Sequence, residues 1–120
     1  MPKIDNFRKF EAGPDPFDRM WTVEFQWLQT AISIRHSDTV DVMFRVSDGE
    51  SWEEKVIALR HADLLALSET SGRRLTDPWC MKLAALHLTQ MIETAADIEK
   101  AVVTPSLAEL EEHNRKLGAI

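Results

Sequence analysis

Tyrosine is absent from this 120-residue chain, and cysteine occurs once, at Cys80. A single thiol excludes an intramolecular disulfide and a cysteine-rich zinc site, so a reducing, cytoplasmic compartment is expected. Basic residues are outnumbered, 14 against 20 acidic ones, and nowhere form a run of five. With a formal net charge of −6, the chain lacks the clustered cations that a general nucleic-acid binder needs to neutralise phosphates. No stretch approaches the roughly 20 apolar residues of a membrane-spanning helix. The opening MPKIDNFRKF has charges where a signal peptide would carry its apolar segment. A phosphate-cradling glycine loop, a nucleophile–base pair and a closed metal motif are all missing, as are internal repeats and low-complexity segments.

Apolar residues make up 44% and charged residues 28%, ordinary proportions for one globular domain able to bury its own core. The organising stretch is Asp77 to Lys100, which reads as one long helix capped by Asp77 with Pro78 in its first turn. Lys82, Thr89, Glu93, Asp97 and Lys100 trace a narrow polar stripe; the remaining circumference is apolar, the pattern of a helix buried on several sides.

Residues 1–20 form an N-terminal arm whose Phe7, Phe10 and Phe17 need a surface to pack on, in this chain or a neighbouring one. Between Trp21 and Arg35 the strand pattern changes phase, from Val23, Phe25 and Trp27 to Leu28, Thr30, Ile32 and Ile34. One extra residue near Trp27–Gln29, a β-bulge, restores a common face. Val40, Val42, Phe44 and Val46 alternate with polar neighbours as a half-buried strand. A three-residue turn at Ser47-Asp48-Gly49 sets Val46 opposite Glu50, Phe44 opposite Trp52, Val42 opposite Glu54 and Asp41 opposite Lys55. The turn His36-Ser37-Asp38 likewise sets Ile34 against Val40 and Ile32 against Val42. A short helix over 62–71 closes at Gly72. A last helix over 105–117 starts either at Thr104-Pro105 or through a Ser106–Glu109 capping box.

The expected fold is therefore α+β: a three-stranded antiparallel meander, with a possible added strand from the arm, followed by two to three helices packed on one face. The single domain spans residues 21–120.

Candidate sites gather at one sheet end. His36, Asp38, His61 and Asp63 form a doubled His-x-Asp pattern whose donors suit zinc, iron or manganese. Arg35 and Arg60 lie at the same end, near a helix start, and suit a small anion. Cys80 sits in the first turn of the long helix, where a dipole can activate a thiol. His87 is seven residues further on, a rise of about 10.5 Å, so the two cannot form a dyad. Glu54 breaks the strand pattern as an acid on an apolar face. Trp27 and Trp52 offer either packing or a stacking platform. The opposite sheet face, with Ala31, Met43, Ile57 and Leu59 among charges, is semi-apolar and open to a partner.

These residues point first to a small non-enzymatic binding or assembly module, a homo-oligomer and most simply a homodimer. No cofactor, nucleic acid or membrane is implied. A metal-dependent enzyme, or a regulator binding a small anion, at the sheet end is the alternative.

Overall fold

Strand-forming residues alternate through the first half of the chain, and the computed structural model, which describes residues 6–31 and 38–118, turns them into a sheet. Its strands are β1 (Lys9–Ala12), β2 (Trp21–Ala31), β3 (Thr39–Ser47), β4 (Trp52–Arg60) and β5 (Val102–Val103). They lie in sequence order; β1 to β4 are antiparallel, and β5 joins β4 in parallel. The fold is α+β, and the expected three-strand meander is the centre of a five-stranded mixed sheet. Part of the arm supplies edge strand β1 in the same chain, pairing Phe10 with Val23.

The β1–β2 connection is organised by Asp15. Its carboxylate accepts from the backbone N–H groups of Phe17 and Arg19, from the Arg19 Nε and from the Trp21 indole, each at 2.9 Å. Burial works against that charge, but the donors from Trp21, Arg19 and Phe17 outweigh it and hold the carboxyl at about 2. Gly13 is required here: at φ +128° a Cβ would lie 2.9 Å from the Arg19 carbonyl oxygen.

A β-bulge in β2 falls between Phe25 and Trp27, where the register shifts by one. Val23 and Phe25 before it, and Leu28 and Thr30 after it, then share one face, because the extra residue cancels the phase change. The bulge precedes Trp27, so that ring goes to the opposite face. Val40 and Val42 pair with Thr30 and Leu28, not with Ile34 and Ile32, which lie outside the described residues.

The β3–β4 register departs from expectation by three residues. Val46 faces Glu53, Phe44 faces Lys55, Val42 faces Ile57 and Val40 faces Leu59. The loop holds four residues, 48–51, rather than three. Asp48 Oδ1 accepts from the N–H groups of Glu50 and Ser51, Ser47 Oγ accepts from Gly49, and Gly49 adopts φ +104°. An odd shift exchanges the two faces of β4. Ile57 and Leu59 are therefore fully buried in the core, and Trp52 and Glu54 face outward. Glu54 pairs with Arg45 across the strands and is exposed, so the acid-on-apolar-face reading falls.

Three helices follow: α1 (His61–Ser71), α2 (Asp77–Thr94) and α3 (Leu107–Gly118). α1 closes at Gly72 in the left-handed conformation, as its sequence predicts. Thr76, not Asp77, caps α2, its side chain accepting from the Trp79 N–H. α3 starts through the reciprocal Ser106–Glu109 capping box. α2 lies across the sheet with α3 on its other side, so Leu83, Ala84, Ala85 and Leu88 are fully buried. Its continuous apolar surface is explained by that double cover.

α2 stops at Thr94, six residues before the expected Lys100, with Ala95 and Asp97 at positive φ. The chain beyond it is taken by the sheet. Lys55, buried on the core face, donates from Nζ to the carbonyls of Ile98 (2.6 Å) and Lys100 (3.1 Å) and sits 3.2 Å from Glu53. The Val56 N–H donates to Ala101, and β5 follows. These bonds replace those that more helix would have formed. Lys55→Met is expected to keep the apolar stem but orphan both carbonyls, destabilising the fold by about 2 kcal/mol. Denaturant unfolding checks the loss, and hydrogen exchange at the Val56 amide should accelerate.

Candidate functional site

The sheet end named by the sequence is only partly described, since Arg35 and His36 lie outside the described residues. Asp38 and His61 are adjacent: the His61 N–H donates to the Asp38 carbonyl at 2.8 Å. Arg60 is exposed opposite Thr39, and Asp63 sits in the first turn of α1. Among the described residues, no group of three His, Cys, Asp or Glu side chains is placed to hold a metal ion.

Cys80 is enclosed in the core. Burial pushes its thiol up to about 11, with the Asp77 charge adding to the effect. A thiol so placed is protonated and packs as a small apolar side chain.

His87 is buried beneath α3 and meets His113, with Nδ1 of His87 3.1 Å from Nε2 of His113. One nitrogen donates and the other accepts. Glu109, bound by Gln90, lies 3.9 Å from His87. Beside this pair the Trp79 indole donates to Asn114 Oδ1 at 3.0 Å. The Nδ1 of His113 has no hydrogen-bond partner among the described residues. Burial, then the His87 and Lys116 charges, depress His113 to about 4 against the opposing pull of Glu109 and Glu112. Burial also lowers His87, though Glu109 and Asp97 offset part of that. Both rings are thus neutral at neutral pH, tying α2 to α3.

The uncovered face of the sheet has a different character. The register aligns Trp27, Met43, Val56 and Val102 in one row across four strands. Met43 in the middle is 8% exposed, while Trp27 and Val102 at the ends are 38% and 58% exposed. Along the strands, one flanking row holds Glu24, Arg45 and Glu54 and the other Gln29, Asp41 and Ala58. Arg45 pairs with Glu24 at 2.9 Å and lies 4.3 Å over the Trp52 ring. The core cluster contains none of these apolar residues, because the helices pack on the other side.

The sequence placed Met43 on this face but assigned Ile57 and Leu59 to it as well, and set Trp27 and Trp52 on the core face. Val56, Ala58 and Val102 occupy it instead. For Val56 and Ala58 the signal was the alternation of β4 itself, read one face out of phase. For Val102 there was none, because a two-residue strand has no period. Comparisons with known families, curated proteins and solved structures give no significant match.

The buried imidazoles set an acid response. Folded His113 gains its proton only near pH 4, whereas the unfolded side chain gains it near 6.5. Its stabilising contribution is therefore complete above pH 6.5 and shrinks as pH falls toward 4, by about 3 kcal/mol in all. His113→Leu should flatten this part of the stability–pH profile, as urea unfolding at each pH would show, whatever it does to stability at neutral pH.

Proposed function

We propose that this protein is a non-enzymatic assembly module that pairs with a second copy of itself through the uncovered sheet face. The observation that carries this reading is the row Trp27–Met43–Val56–Val102, an apolar stripe across four strands that lies outside the core cluster, with its Trp27 end beside Asp77 and Pro78 of α2.

The flanking charges favour a second copy as its occupant. A two-fold axis along the row brings Met43 onto Met43 and keeps each strand facing its own equivalent. Residues two positions to either side exchange places, so Arg45 of one copy meets Asp41 of the other, and the pair occurs twice. Glu24 and Glu54 then lie over Gln29 and Ala58 rather than over like charges. Strands ~4.8 Å apart and rising ~3.3 Å per residue give a face of roughly 500 Å². Burying it on both copies reaches about 1,000 Å², the lower bound for a specific interface. The expected product is a dimer of modest affinity.

The alternative is a metal-dependent enzyme or small-anion-binding regulator at the sheet end of Arg35, His36, Asp38, Arg60, His61 and Asp63. The His61 backbone N–H, bonded to the Asp38 carbonyl, brings two of these residues to one place at the sheet end. Native mass spectrometry separates the two readings. An adduct of zinc, iron or manganese that disappears in His61→Ala supports the alternative; a species at twice the 13.7 kDa chain mass supports assembly.

Sedimentation over a wide concentration range tests the interface directly. Val102→Asp, at an exposed edge the fold tolerates, should weaken self-association at least tenfold, about 1.4 kcal/mol. Asp41→Arg should do the same by setting two arginines together. A wild-type monomer at every concentration, or a dimer indifferent to both substitutions, sinks this interface.

A further inference from the structure

On the helical side of the molecule, Arg73, Arg74 and Lys82 converge on one open cleft of about 430 Å³. The cleft is large enough for a small metabolite. Among the described residues, none of these three cations has a carboxylate within 4.0 Å, whereas Lys9, Arg19, Arg45, Lys55, Lys100 and Arg115 each have one. In a chain of net charge −6, three cations around one concavity with no carboxylate partner among the described residues are a local reversal of sign.

The fold sets where these residues leave the backbone. Arg73 and Arg74 occupy the link between Gly72, which ends α1, and Thr76, which caps α2. A Cβ on Gly118 would lie 3.2 Å from Nη2 of Arg73, so that guanidinium rests against the end of α3. Lys82 projects one turn into α2, its Nζ 5.7 Å from the Phe7 ring. Asp77, the closest acid in sequence, lines an adjoining cleft with Arg8 and Trp27 instead. Phe7, Pro78, Trp79 and Leu117 make the rest of the wall mostly apolar, with Thr76 its one uncharged polar residue.

We infer that this cleft binds a small molecule carrying a phosphate or pyrophosphate group on a flat ring. A monocarboxylate would leave two of the three cations unneutralised. The guanidinium forks match pairs of phosphate oxygens, and the lysine adds a point charge. Phe7, half-buried, supplies aromatic surface for the ring, with the enclosed Trp79 behind it in the wall. A nucleic-acid strand fits poorly, because a polyanion leaving the cleft would cross a surface of net negative charge.

Calorimetric titration of the full chain with pyrophosphate tests this site. Saturable one-to-one binding is expected, weakened at least tenfold in Arg73→Gln and in Lys82→Gln while circular dichroism stays that of the wild type. Arg115→Gln, at an exposed position on α3 outside the cleft, should bind as the wild type does. Adenosine diphosphate should bind more tightly than pyrophosphate if the aromatic wall receives a ring; weaker binding overturns that part of the assignment. Absence of saturable binding by the wild type, equal binding by both cleft variants, or equally tight binding of citrate at matched ionic strength overturns the site.

Discussion

The register of β3 against β4 decides what this protein buries and what it leaves open. Side chains alternate at every residue of a strand, so one register sends Ile57 and Leu59 inward beside Val42 and Val40. The same register sends Val56 and Ala58 outward beside Met43 and Asp41. It also turns Lys55 inward, where the lysine binds the carbonyls of Ile98 and Lys100 and draws the following segment onto the sheet edge. Without that anchor β5 would lose the chain that delivers it to β4. The core, the fifth strand and the exposed stripe are consequences of one alignment.

The helices then complete one side only. α2 carries apolar surface around nearly all of its circumference, and the sheet can cover one half of it. α3 covers the other half, at the cost of setting polar groups inside: His87 meets His113 and Trp79 meets Asn114. Two directional bonds fix how α3 is seated, where apolar contacts alone would tolerate rotation about its axis. Because α3 is spent on α2, no helix remains for the far side of the sheet. An uncovered face is therefore built into the count of elements.

Much of this was legible in the sequence, and the failures have physical causes. Gly72, the Ser106–Glu109 box and the phase change in β2 are local signals, and the structure follows each of them. The hairpin register was not local. A three-residue turn with glycine at its end and a charge pair between Asp41 and Lys55 form a self-consistent alternative, but it would bury Glu54. The observed register avoids that by lengthening the loop and pairing Arg45 with Glu54. The end of α2 was hidden for a similar reason, since Ala95 and Ala96 are good helix formers and only the distant Lys55 removes them from the helix. Of the candidate sites, Cys80, offered as an activatable thiol, and His87, out of its reach, are both interior residues. The cleft at Arg73 and Arg74 has no local signal, because the residues that complete it, Phe7 and Leu117, lie far apart in the sequence.

The proposed assembly face and the cationic cleft are on opposite sides of the sheet, and their separation has consequences. A dimer closed over Met43 leaves both clefts facing solvent, pointing away from each other. Two copies so arranged present two equivalent sites for an anionic ligand, which makes the assembly bivalent toward any partner displaying phosphate groups at a matching spacing. Coupling between the two surfaces would have to pass through the layer of α2. That layer is rigid, enclosed by the sheet and α3 and held by buried hydrogen bonds. Among the described residues, two links join the regions: Phe7 lines the cleft while β1 pairs with β2, the strand that carries Trp27, and Trp27 itself lines an adjoining cleft with Pro78, which borders the cationic one too. A ligand effect on assembly would therefore run through the seating of that arm or through Pro78 and Trp27. A cleft occupant that stacks on Phe7 fixes the edge of the sheet beside the dimer face, and one that contacts only the arginines leaves it untouched.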